Sequence, residues 1–332
     1  MLEQGKVVLV AGFQGVTHYG AITTLGRGGS DTTGSALGAA LKPYADEIAV
    51  EIYTDVDGVK TADPRMVADA RTLLHATYEE VAEMAHQGAK VVHPRAAEIA
   101  NNYRIPLWVK STFTDIPGGT LIAASDELPE DIRLRVTGVT HTGKIVYLRF
   151  DLPTGDEDDK AHIELEIYRL LQREQIALYL NSTHGGAFAF AIAREHLGRV
   201  RELLDGLVVP VQLGGRKRPP YGRIYLLGVG SRRSAFLAQK KMLEDATAFV
   251  EVHTVEAEVT ENCTMVSVIA AQFKGVPGVM ARILETLARV NVPAFQTADS
   301  EYSISVLVPE ADATKATQAL HQEFGLGKTN GA

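Results

Sequence analysis

Three stretches of this 332-residue sequence combine glycines, acids and bases at spacings suited to handling anions. The first is Gly26-Arg27-Gly28-Gly29-Ser30-Asp31-Thr32. Glycines let a backbone approach a ligand closely, and a helix opening after them offers unpaired N–H groups and a positive dipole end. Arg27 can fork onto a carboxylate and Asp31 can hold an ammonium group, so the set suits an anionic amino acid beside a phosphate. The same residues would also serve as a glycine-rich turn capped by Ser30 or Asp31.

The second stretch, Thr54-Asp55-Val56-Asp57-Gly58-Val59-Lys60-Thr61-Ala62-Asp63-Pro64-Arg65, leaves the carboxyl end of an expected strand. Ligands of open α/β sheets bind there, and Lys60 and Arg65 could neutralise phosphates; an exposed Asp-Gly turn is the alternative. The third, Gly88-Ala89-Lys90-Val91-Val92-His93-Pro94-Arg95, sets Lys90 just after a helix stop, with His93 as a structural boundary before Pro94. Two other signals fail. Gly327-Lys328-Thr329 lacks the first glycine of a phosphate loop, since position 322 is Gln322, and Gly228-x-Gly230 lacks the third glycine of a dinucleotide fingerprint.

An α/β pattern runs from residue 6 to about 125 and positions these stretches. Val7-Val8-Leu9-Val10 reads as a core strand, a helix is expected from Asp31 to Leu41, and Ile48 to Tyr53 reads as a second strand. Thr77-Tyr78-Glu79-Glu80 has capping-box spacing, a further helix follows Pro94, and Pro106 to Lys110 reads as a strand. Alternating strands and helices imply a mostly parallel sheet covered by helices. Residues 116–129, rich in Pro, Gly, Asp and Ser, read as a linker. Two βαββαβ-like units follow, at about 136–206 and 262–325, and residues 207–260 between them belong to neither.

The net charge of −8 argues against a nucleic-acid or membrane-surface binder, both of which require a basic face. One cysteine, Cys263, excludes an intrachain disulfide framework and a thiolate zinc site, and no metal site is expected from the protein's side chains. With no signal-peptide or membrane-spanning pattern, a cytoplasmic protein is expected.

The three stretches, in this order and spacing, resemble the aspartate kinases of the amino-acid kinase family. Phe273-Lys274-Gly275-Val276-Pro277-Gly278-Val279 and Gln296-Thr297-Ala298-Asp299-Ser300 resemble the second ACT repeat of short, monofunctional aspartokinases. The resemblance implies a partial amino-acid-kinase fold over residues 1–125, then a paired, ferredoxin-like ACT region over 126–332. It implies phosphorylation of L-aspartate by ATP with Mg2+ to 4-phospho-L-aspartate, the first step toward lysine, threonine and methionine, under feedback from an amino acid. Arg27, Gly28, Gly29, Ser30 and Asp31 would bind aspartate. Thr54, Asp55, Lys60, Thr61, Ala62, Asp63, Pro64, Arg65 and Lys90 would bind ATP, and Val276, Pro277, Gly278, Gln296 and Thr297 an effector. Lysine, diaminopimelate and threonine are the effector candidates, and a homodimer through the ACT units is expected.

The family's first strand carries Lys-Phe-Gly-Gly, and no Gly-Gly of this sequence follows Lys-Phe. The amino-terminal half of the catalytic domain is therefore expected to be absent, the catalytic lysine with it, and activity of this chain alone to be weak. A non-catalytic regulatory subunit of a kinase oligomer is the alternative reading. Another amino-acid kinase, for glutamate or uridylate, fits less well because of the ACT-like tail. The acidic run 156–159 replaces the turn that usually opens the first ACT helix, which puts an effector site there in doubt.

Overall fold

The computed structural model describes residues 4–89, 91–114, 118–129, 135–153, 157–184, 186–213, 218, 220–230, 233–247, 249–273 and 277–327. In chain order the elements are β1 (Gln14–Val16), β2 (Ile22–Thr24), α1 (Gly29–Leu41), β3 (Val50–Thr54), β4 (His75–Thr77), α2 (Tyr78–His86), α3 (Pro94–Tyr103), β5 (Leu107–Ser111), β6 (Thr120–Ala123) and β7 (Val136–Asp151). They continue with α4 (Glu157–Arg173), β8 (Leu178–His184), β9 (Ala187–Ala193), α5 (Leu197–Leu204), β10 (Val208–Gln212), β11 (Gly222–Gly228), α6 (Arg233–Ala246), β12 (Val250–Ala270), α7 (Val279–Arg289), β13 (Gln296–Asp299), β14 (Ser303–Pro309) and α8 (Ala313–Glu323). Packing divides them into two compact units, residues 1–142 with 265–332, and residues 143–264.

In the first unit, β3, β5, β6 and β4 form a four-stranded sheet in that order. β3 and β5 run parallel, as do β4 and β6, while β5 and β6 are antiparallel. Small residues bring α1 onto this sheet: Gly29, Thr32, Ser35 and Gly38 are its buried positions. A Cβ on Gly38 would lie 2.6 Å from Val50 of β3. α2 begins at the expected capping box, in which the Thr77 hydroxyl accepts the Glu80 N–H at 3.1 Å and Glu80 accepts the Thr77 N–H at 2.7 Å.

Two expectations are corrected here. No strand forms at residues 7–10, and Val7 and Leu9 are 99% and 98% exposed. A β-branched run is only a propensity until a neighbouring strand completes its ladder. Conversely, the stretch expected as a linker contains β6, an interior strand of the sheet, with Thr120 and Ile122 fully buried. Gly119 marks a close approach: it has φ 110, and a Cβ there would fall 2.2 Å from the Val109 carbonyl oxygen.

The same unit holds a second core, in which Val266, Val268, Val306 and Val308 of β12 and β14 pack with Ile283 and Leu287 of α7 and Leu320 of α8. Val139 joins this core, so the first residues of β7, which precede 143–264 in sequence, help to complete the module at the chain's end.

In the second unit β7, β9 and β8 pair antiparallel beneath α4 and α5, with Phe150 and Phe188 stacked at 4.9 Å. The segment that fitted neither repeat supplies β10, β11, α6 and the start of β12. β11 pairs antiparallel with β10 and, across the α6 crossover, parallel with β12. The sheet order β10-β11-β12-β7-β9-β8 sets β11 and β12 between β10 and β7.

Candidate functional site

α1 opens behind Gly28, whose φ of 72 lies in the left-handed region where a side chain would be strained. A Cβ on Gly28 would also lie 2.3 Å from the His93 ring, so only glycine lets the loop press onto the residue before α3. The Asp31 carboxylate accepts the His93 backbone N–H at 3.3 Å, and the Ser30 hydroxyl donates to Asp31 at 3.4 Å. Asp31 is half-buried; Arg27 is exposed, and no carboxylate of the described residues pairs with it. The first and third sequence motifs thus meet in space. His93 itself caps α3, its Nδ1 accepting the Arg95 N–H at 3.3 Å.

β3 ends at Thr54, whose hydroxyl donates to Asp55 at 3.1 Å. Of the Asp57-Gly58 pair, Asp57 is exposed but Gly58 is buried: Gly58 has φ 136, and a Cβ there would lie 2.6 Å from Thr72 and 2.7 Å from Thr120. Lys60 Nζ donates to Asp57 at 2.9 Å and to Thr72 at 2.7 Å. Burial pushes the Asp57 carboxyl up, but the Lys60 and Thr72 hydrogen bonds together with the Lys60 charge outweigh it and hold the group below its ordinary value. Arg65 folds back onto Asp63, Nη2 to Oδ2 at 2.6 Å, and chiefly through these hydrogen bonds lowers the Asp63 carboxyl while remaining 86% exposed itself. Both cations are therefore paired with acids from which an anionic ligand would draw them.

A cavity of about 500 Å³ lies between this loop and the third motif. Lys60, Asp63 and Arg65 line one side, Gly88, Ala89 and Val91 another, and Thr140 and His141 of β7 a third. Lys90 lies outside the described residues, although both its neighbours border the cavity. Ala62 and Pro64 also face it, whereas Thr54, Asp55 and Thr61 do not. Thr61 turns wholly inward.

The β7 wall was not foreseen, because residues 136–142 read as the start of an ACT repeat and carry no motif. Burial pushes the His141 imidazole below its ordinary value, with Asp63 opposing and Arg65 assisting. The Thr140 hydroxyl is buried without a hydrogen-bond partner among the described residues. Gly88 packs on the same strand, since a Cβ there would lie 2.2 Å from the His141 carbonyl oxygen.

Of the expected effector residues, Val276 lies outside the described residues. Pro277 and Gly278 are exposed at the start of α7, where Gly278 has φ 84. Gly278 borders a cavity of about 490 Å³ with Met280, Asp299, Ser300 and Ile304. Gln296 and Thr297 do not line it. Gln296 is 9% exposed, and neither of its amide atoms has a hydrogen-bond partner among the described residues.

Residues 1–111 match the amino acid kinase family and residues 258–322 an ACT domain. Aspartokinase 1 of Bacillus subtilis is 33% identical over 331 residues, 99% of this chain and 68% of the relative. The chain belongs to the aspartokinases. Aspartokinase III of E. coli, solved with aspartate and ADP in an R-state, is 26% identical, with a TM-score of 0.63 over 95% of this chain and 60% of that one. Solved with lysine and aspartate in a T-state, the same enzyme gives 26% identity and a TM-score of 0.60, over 94% and 59%. This aspartokinase chain thus spans about two thirds of the Bacillus relative and 60% of the E. coli enzyme. Among its described residues no helix is long and apolar enough to cross a membrane, and no group of three or more His, Cys, Asp or Glu is placed to hold a metal ion.

Proposed function

We propose that these residues form the donor and acceptor sites of an aspartate kinase, which transfers the γ-phosphoryl group of Mg-ATP to the side-chain carboxylate of L-aspartate. The observation that carries this reading is the convergence on residues 88–94. The loop suited to an amino acid touches His93 at one end of that segment. The loop suited to phosphates faces Gly88, Ala89 and Val91 at the other, across the cavity. Phosphoryl transfer needs little covalent chemistry from a protein; it needs two anions held in line and their charge neutralised.

Arg27 grips a carboxylate of aspartate, Asp31 its ammonium group, and Gly28, Gly29 and Ser30 form the floor between acceptor and phosphate. Lys60 and Arg65 exchange their acids for phosphate oxygens, with Ala62, Asp63 and Pro64 shaping the loop. Thr54, Asp55 and Lys90 complete the nucleotide contacts, and Thr61 serves from behind. Mg2+ arrives with the phosphates. An aspartate side-chain oxygen bonds to the γ-phosphorus as the bond to the ADP oxygen breaks, and no proton is transferred. The E. coli relative solved with aspartate, ADP and lysine supports the same substrates and an amino-acid effector for this chain. Gly278 and the buried Gln296 amide are the groups offered to that effector, and the outer edge of β13 to a second copy of the chain.

None of the 332 residues supplies a Lys-Phe-Gly-Gly lysine. Removing one main stabiliser of transition-state charge costs on the order of 100- to 1,000-fold in turnover. A coupled ADP-release assay should therefore find this chain alone slower by about that factor than the same chain joined to the preceding segment of the Bacillus relative. Equal turnover would show that these residues carry the catalytic charge themselves.

A further inference from the structure

Thr61 sits at the middle of the 57–72 loop, fully buried, and its polar atoms are all engaged. Its N–H donates to the Arg71 carbonyl at 3.0 Å, its carbonyl accepts the Val139 N–H at 2.8 Å, and its hydroxyl oxygen accepts the Arg71 N–H at 3.1 Å. Among the described residues the hydroxyl proton has one partner in reach, Nε2 of His321 at 2.9 Å, on α8. For Nε2 to accept, the imidazole must be neutral with its proton on Nδ1, the nitrogen that faces Asp69 at 3.8 Å. Burial favours the neutral ring, opposed by Asp69 and assisted by Arg71.

The same carboxy-terminal stretch holds the loop at three further points. Gln318 Nε2 donates to the Met66 carbonyl at 2.7 Å, Arg71 Nε donates to the Leu326 carbonyl at 3.3 Å, and Gly327 forms a β-bridge with Ala70. Gly327 packs closely on the loop, since a Cβ there would lie 2.3 Å from the Asp69 carboxylate.

The geometry points to His321 as a positioning residue for nucleotide binding: acting through Thr61, the last ACT helix fixes the backbone that carries Lys60 and Arg65. This rests on the reading of residues 60–65 as the nucleotide loop. His321 touches no ligand; it removes the loop's freedom before phosphates arrive, so its loss should weaken nucleotide affinity and leave aspartate affinity alone.

Hydrogen exchange and Mg-ADP calorimetry on the full chain test this with His321→Leu, which cannot accept a hydrogen bond, and His321→Gln, which can. Losing one buried hydrogen bond corresponds to roughly tenfold in an equilibrium constant. His321→Leu should raise exchange at the amides of Thr61, Val67, Ala70 and Leu73 about tenfold, leave the β3 and β5 amides unchanged, and weaken Mg-ADP about tenfold. His321→Gln should restore both. Unchanged loop exchange in His321→Leu, a rise shared equally by β3 and β5, or loosened loop amides with unaltered Mg-ADP affinity would each overturn the proposal. Failure of the unaltered chain to bind Mg-ADP would instead sink the nucleotide reading and the positioning role with it, while the exchange data would still report whether α8 holds the loop.

Discussion

Asp31 is fixed by the His93 N–H, whereas Arg27 beside it is exposed and unpaired among the described residues. That asymmetry suits a site that holds one charge rigid and closes the other onto its ligand. In a chain joined to the preceding segment of the Bacillus relative, Arg27→Ala should raise KM for aspartate far more than KM for ATP. Leaving one partner of a desolvated charge pair unmet costs roughly 2–5 kcal/mol. Lys90→Ala should show the opposite bias, because its expected partner is a phosphate. Circular dichroism must first show both variants folded, and equal losses for the two substrates would refute the separate roles. Glycines were the most legible residues of this site, but for more than one reason. Gly28 reads as ligand-facing and Gly88 as a helix stop, and in the structure each also avoids a collision with a protein neighbour, His93 or His141.

The 57–72 loop and β7 titrate together with the fold. His141 and His321 are both pushed below the ordinary imidazole value of 6.5, chiefly by burial, with Asp63 and Arg65 facing the first and Asp69 and Arg71 the second. Between 6.5 and the lowered values the unfolded chain binds more protons than the folded one, so stability rises with pH across that window and is lost on acidification. Urea unfolding should show a lower midpoint at pH 5.5 than at pH 7.5, and replacing both histidines by glutamine should reduce the difference. An undiminished difference would assign the acid sensitivity to other groups. Elements whose signal is local were readable in the sequence: the Thr77–Glu80 capping box starts α2 where its spacing says, and helical spacing places Ile283 and Leu287 of α7 and Ala313, Ala316 and Leu320 of α8 inward, as they are, although Leu284, on the same expected face of α7, is exposed. Elements that depend on a distant partner were not. The apolar run 7–10 stays unpaired, and β6 hides in a Gly- and Pro-rich stretch because its place is set by β5 and β4. The wall that β7 gives the cavity beside residues 60–65 depends on a packing partition that no local pattern encodes.

At the scale of the molecule, residues from both ends of the sequence build one unit, with 143–264 inserted between them. β13 pairs with β14 on one side and presents its other edge unpaired among the described strands. An open edge invites a second chain, so light scattering at micromolar concentration should give twice the chain mass. A clean monomer would exclude the β13 edge as a stable interface. Residues 88–94, as proposed, join an aspartate site to an ATP site. The most direct measurement of this junction is acyl-phosphate formation, trapped as the hydroxamate, by the chain joined to the preceding segment of its Bacillus relative. Hydroxamate should form only with ATP, Mg2+ and L-aspartate together, and not with L-glutamate. A folded, Mg-ADP-binding chain that forms none with aspartate, or as much with glutamate, would contradict the proposal.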